Sequence, residues 1–243
     1  MRLVYLLIIV FIPNIIASCF FWETQHVDTR KAMTQNRRLS TNNRTILSKK
    51  HAFFKQAFQE SNTNNQGEVA LKMNLLEKQY NIPYFWGGDI RNFKQGIDCS
   101  GFIHGLMYYS GEIGYNSRFN TAALFRMLKR DKDYIHVYSA KTPDGCFNVE
   151  VLQIGDIILW PSGIADGRNI PGNIIGHVGI VSDIRNNEPY VTHYVDAPKY
   201  NDVDKVGESG SGINTMNATD FIAFKERGQL NIFRKKELLL VNK

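Results

Sequence analysis

"QGIDCSGFIHGLMYYSG", residues 95–111, sets Cys99 between an aspartate and Ser-Gly, at the head of a run with helical period. Asp98 is a good N-cap, and Phe102, Ile103, Leu106 and Met107 recur as one helix face. Gly111 is a natural stop. A structural thiol has no need of this setting, whereas a nucleophilic one does. The thiolate is the reactive form, and a pKa of about 8.5 falls to about 3.5–7.5 at helix N-termini or beside an imidazolium. Directly after an Asp98 cap, the Cys99 sulfur sits near backbone N–H groups whose partial positive charge favours the thiolate. The same groups can face a developing oxyanion. Ser100 and Gly101 keep the turn open to an approaching carbonyl.

A nucleophile needs a base, and the base needs an orienting group. "GHVGIVSDIRNNEPYVTHYV", residues 176–195, reads as strand, turn and strand, with the turn near Arg185 to Glu188. The start of one hairpin strand lies beside the end of the other. His177 opens the first and His193 nears the close of the second, so the two are expected together. His177 would pair with the thiol and His193 would fix its ring, with Asp196 the second choice as orienting group. His104 falls on another face of the Cys99 helix and is expected to be packed or solvated. His26, His51 and His136 have no evident partners. The histidines lack close ligand spacing and no Cys-x-x-Cys occurs, so no metal or other cofactor is expected.

Outward from this centre, "EVALKMNLLEKQY" spaces Val69, Met73, Leu76 and Tyr80 as a helix face. "NIPYFWGGD" breaks it; there Trp86 and Gly87-Gly88 would form either a cleft wall or a packed turn. "TAALFRMLKRDK" predicts another helix. "DIILW", "HVGIVSDI", "PYVTHYV", "IAFKE" and "LNIFRK" predict strands. Helices first and strands later define an α+β domain with an antiparallel sheet, expected over residues 67–243.

The N-terminus reads differently. Arg2 precedes an apolar run to Ile16 that is short and interrupted by Pro13, and small residues then lead to Cys19. Ile16-Ala17-Ser18-Cys19 resembles the lipobox of bacterial lipoproteins, which implies removal of residues 1–18 and a lipid on Cys19. Phe20, rather than Asp, after that cysteine favours the outer membrane over the inner. Residues 19–66 read as a basic polar tether, within which "HAFFKQAFQ" forms a short amphipathic turn. The net charge of +6 suits an anionic surface without selecting one. Cys146 reads as a small packed residue, and a disulfide to Cys99 would remove the proposed nucleophile. "GESGSG", 207–212, does not end in Lys-Ser/Thr and reads as a loop. No pattern specific to nucleic acid is present.

"PYFWGGDIRNFKQGIDCSGFIHGLMY", "LQIGDIILW", "GHVGIVSD" and a later His resemble the NlpC family of bacterial cell-wall cysteine peptidases, over roughly residues 68–200. "RFNTAALF", 118–125, is similar to a further family segment. The resemblance implies a reduced papain-like fold, with the nucleophile-bearing helix packed on an antiparallel sheet. It also implies hydrolysis of peptide bonds in peptidoglycan stem peptides. Carried over by position, Cys99 is the nucleophile, His177 the base and His193 the third polar residue, with Tyr84 at the active site. Tyr84, Trp86, Asp98 and Ser100 are the expected substrate-binding residues. The segments 131–149 and 161–176 are longer than the family's, and the run after His193 lacks its small residues. The same machinery would serve a thiol amidase or ester hydrolase with another acyl substrate. A catalytically silent wall-binding lipoprotein is the reading from a different class.

Overall fold

The computed structural model describes residues 41–42, 44–92, 95–117, 119–142, 147–162, 176–196, 211–223 and 228–236. The proposed signal peptide, Cys19 and Cys146 lie outside them. The chain divides into units 1–45 and 46–243, and the second holds the fold. It is an α+β unit.

Among the described residues, six antiparallel strands form one sheet in the order β1-β6-β2-β3-β4-β5. They are β1 (Tyr134–Thr142), β2 (Ile157–Trp160), β3 (His177–Arg185), β4 (Glu188–Asp196), β5 (Ser211–Asn217) and β6 (Gly228–Lys235). The β3–β4 hairpin turns at Asn186 and Asn187, with φ of 52° and 66°. Two adjacent positive φ values match the twist of a tight hairpin, and Asn tolerates them. All four residues of β2 are buried, because each face of the sheet carries its own apolar cluster. Ile157, Leu159, Val178 and Ile180 join the helices α2 (Gln66–Tyr80) and α3 (Cys99–Tyr109). Ile158, Trp160, Val181 and Val191 join Phe221 of α5 (Ala218–Ala223). Another helix, α4 (Thr121–Arg130), follows α3 and is capped by Asn120.

Two expectations are corrected. The tether assigned to residues 19–66 ends well before 66. A helix, α1, runs over 44–61, and its Phe53, Phe54 and Ala57 are fully buried in the core. The Phe54 ring stacks on Tyr109 with centroids 5.5 Å apart and meets Phe102 at 6.3 Å. Burying each phenylalanine stabilises the fold by about 1.5–3 kcal/mol, so the folded unit takes in this segment despite its polar flanks. The second correction concerns "IAFKE", whose first two residues, Ile222 and Ala223, lie in α5 and not in a strand. Asn217 accepts from the Thr219 N–H at 2.8 Å and turns the chain into that helix.

Candidate active site

Asp98 is extended and caps α3, as expected. Its Oδ1 accepts from the Gly101 N–H at 2.7 Å and from the Ser100 hydroxyl at 2.8 Å. Its Oδ2 accepts from the Gly87 N–H at 2.8 Å, while its own N–H donates to Gly88 O at 3.0 Å. Burial raises the Asp98 pKa, and these accepted hydrogen bonds oppose the rise. Asp98 and Ser100, expected at the substrate, therefore commit their side chains to the helix start. A side chain at Gly101 would place a Cβ 2.0 Å from Gly88 O, so only glycine lets the two segments touch. Cys99 is the first residue of α3 and 6% exposed. It belongs to the apolar cluster on the α2–α3 face of the sheet, with Leu159, Val178 and Ile180.

The preceding loop is held from two sides. Phe85 N–H donates to Ile97 O and Ile97 N–H to Pro83 O, both at 3.1 Å, which pins Tyr84 beside Ile97, two residues before Cys99. Tyr84 is half-buried against the core, whereas Trp86 is 64% exposed and packs in no core. From the other side comes Lys50 of α1, with no exposed surface. Its ammonium donates to the carbonyls of Asp89 at 2.7 Å, Gly96 at 3.3 Å and Asn92 at 3.4 Å. Burial lowers the Lys50 pKa to about 8, against the favourable charge of Asp89. Lys50, Phe53, Phe54 and Ala57 share one face at helical spacing, and that was the available signal for α1.

His177 opens β3 and is 7% exposed; His193, on β4, is 0% exposed. The hairpin brings them together as expected, with His177 Nε2 2.9 Å from His193 Nδ1 and the rings at 88°. Both rings meet Phe221, at 5.7 Å and 4.9 Å between centroids. Burial lowers the His193 pKa to about 3, so this ring is neutral at any ordinary pH. A neutral His193 accepting at Nδ1 carries its own proton on Nε2. The tautomer decides the donor of the pair: with the His193 proton on Nε2, His177 Nε2–H donates and its Nδ1 is the nitrogen left to exchange a proton. Helix α3 packs on β3 and β4 in the cluster that holds Val178, Ile180 and Tyr194, whereas the two imidazole rings meet Phe221, which belongs to the cluster of the other sheet face.

Asp196, the second choice for the orienting role, ends β4 three residues past His193, on the opposite face of the strand. His104 is 1% exposed and edge-on to Phe119, a packed residue as expected. Phe221 was missed because it lies just before "IAFKE", which reads as a strand, in a helix too short to show its period. Among the described residues, no helix is long and apolar enough to cross a membrane, and no group of three or more His, Cys, Asp or Glu is placed to hold a metal. No protein-family model matches the chain, and no curated protein matches it.

Proposed function

We propose that the chain is a thiol hydrolase of the bacterial envelope that cuts peptide bonds in peptidoglycan stem peptides, held at its membrane by a lipid on Cys19. One observation carries the reading: a cysteine at the capped N-terminus of a buried helix, packed on the strand whose first residue is an imidazole oriented by a second imidazole. The substrate class rests on the resemblance of the motifs around Cys99 and His177. The outer membrane is the favoured location, from Phe20.

In this mechanism the Cys99 proton passes to His177 Nδ1, giving a thiolate and an imidazolium. The sulfur attacks the carbonyl carbon, and the electron pair moves to the oxygen. The cap already uses the N–H of Gly101 and of Phe102, the latter donating to Asp98 O at 2.9 Å. The Ser100 N–H of the same turn is then the amide offered to the oxyanion. His177 returns its proton to the leaving amine as the C–N bond breaks. Water, deprotonated by His177, hydrolyses the acyl-thioester and frees Cys99. Tyr84 and the exposed Trp86 flank the entry to the helix start and are the groups proposed to contact the peptide.

The test is digestion of purified peptidoglycan by the full chain, with products read by mass spectrometry. Fragments with new amino and carboxyl termini are expected. Cys99→Ala should release them at least about 10³-fold more slowly, at unchanged circular dichroism. Equal release by the variant would contradict the mechanism.

A further inference from the structure

Beside the histidine pair lies a buried amide that the fold does not use. Asn214 sits in mid-strand on β5, in register directly opposite His193 of β4, and is 3% exposed. Directly opposed residues of an antiparallel pair share a face, with Cβ atoms about 4.5–5.5 Å apart. Neither Oδ1 nor Nδ2 of Asn214 has a hydrogen-bond partner among the described residues. A buried unpaired polar group costs about 1–3 kcal/mol, and Asn is a poor strand residue besides. Its neighbour on the other face shows the contrast. Thr215 Oγ1 is bonded to Thr192 at 2.6 Å and to Asn74 at 2.8 Å. Asn214 is thus polar where the fold gains no stability from polarity.

The His193 tautomer is what such an amide can control. His193 orients His177 only while its Nδ1 lone pair faces the His177 Nε2–H. That requires the His193 proton on Nε2, and a buried N–H needs an acceptor. We infer that Asn214 is a positioning residue of this site: its Oδ1 takes the His193 Nε2–H through one buried water, and so fixes His193 as acceptor for His177. A water in that place would have polar partners on both sides. No proton leaves the pair in this role. The thiol proton goes to His177 Nδ1, while the His177 Nε2–H and the His193 Nε2–H keep their nitrogens. The inference rests on the reading of His177 as the base.

The experiment compares the parent full chain with Asn214→Leu, which has similar volume and no acceptor, and with Asn214→Asp, which keeps one. Nitrogen-15 NMR of the histidine rings reads the tautomer, and iodoacetamide at pH 6 reads the thiolate fraction of Cys99. Asn214→Leu should keep the parent circular dichroism and melt somewhat lower, because it leaves the His193 Nε2–H without its acceptor. It should also show His193 protonated at Nδ1 in part and Cys99 alkylated about tenfold more slowly. Asn214→Asp should keep the parent tautomer. An unchanged tautomer in Asn214→Leu would overturn the assignment, as would alkylation that falls only in step with melting temperature. If the parent thiol titrates near the ordinary value of about 8.5, the reading of His177 as base fails instead, and the tautomer alone decides the role of Asn214.

Discussion

Two side chains set the chemistry at the residue scale, and burial acts on each differently. His193 is neutral because its charge would be stranded in the core, and a neutral ring can accept the His177 N–H. Its pKa, lowered to about 3, makes a stability prediction. Between the ordinary histidine value of about 6.5 and that lower value, the unfolded chain binds the proton and the folded chain does not. The contribution is therefore complete above about pH 6.5 and is lost progressively as pH falls toward 3. Urea titrations should show the parent losing stability relative to His193→Asn across that window; a constant gap would refute the buried neutral ring. Asp98 is the second case. Asp98→Ala removes acceptors for Gly101, Ser100 and Gly87 and should cost at least about 1–2 kcal/mol in thermal unfolding, with Asp98→Ser recovering part. The cap and the histidine pairing were legible in the sequence because each follows from local spacing. The turn to which Asp98 is tied was not, because the Gly87 N–H contact depends on how the loop folds back.

At the scale of elements, α1 changes what counts as the folded unit. Its polar, basic flanks resemble a linker, while Phe53, Phe54 and Ala57 on one face behave as core. A chain beginning at residue 67 lacks them and is expected to unfold or aggregate, whereas one beginning at residue 41 should fold cooperatively; circular dichroism during heating separates the two. Phe54→Ala should cost about 3–5 kcal/mol, since the ring lies between Tyr109 and Phe102. Lys50→Met in the same helix leaves the carbonyls of Asp89, Asn92 and Gly96 without their donor. It should loosen the loop before Cys99, read as faster amide exchange over residues 83–98. Period alone marked α2, α3, α4 and the β3–β4 hairpin, whose apolar residues recur without interruption. It misplaced α5, where six residues are too few to show a helical period. It also missed β5, whose first residues fall in a glycine-serine run.

For the whole molecule, the sheet buries apolar side chains on both faces, and Glu77 of α2 is a carboxylate buried in that packing. Glu77 is 1% exposed; it accepts from the Ile82 N–H at 2.7 Å and from the Tyr194 hydroxyl at 3.4 Å. Burial raises its pKa to about 8. A carboxyl raised above its unfolded value contributes stability that is complete below about pH 4.5 and is lost as pH rises through about 8. Glu77→Gln should therefore gain on the parent from about pH 4.5 to about pH 8 and gain no more beyond; a difference independent of pH would refute the buried proton. The α+β class and the antiparallel sheet were legible from the order of helical and alternating segments. The cross-sheet neighbours, Phe221 and Asn214 against His193, depend on strand order, which no local pattern encodes. The central claim is that Cys99 is a nucleophile whose proton His177 holds. The measurement that tests it most directly is the rate of Cys99 alkylation against pH, in the parent and in His177→Ala. The account predicts a thiolate already present below neutral pH in the parent, and a shift toward about 8.5 in the variant. Identical profiles, both titrating near the ordinary thiol value, would contradict it.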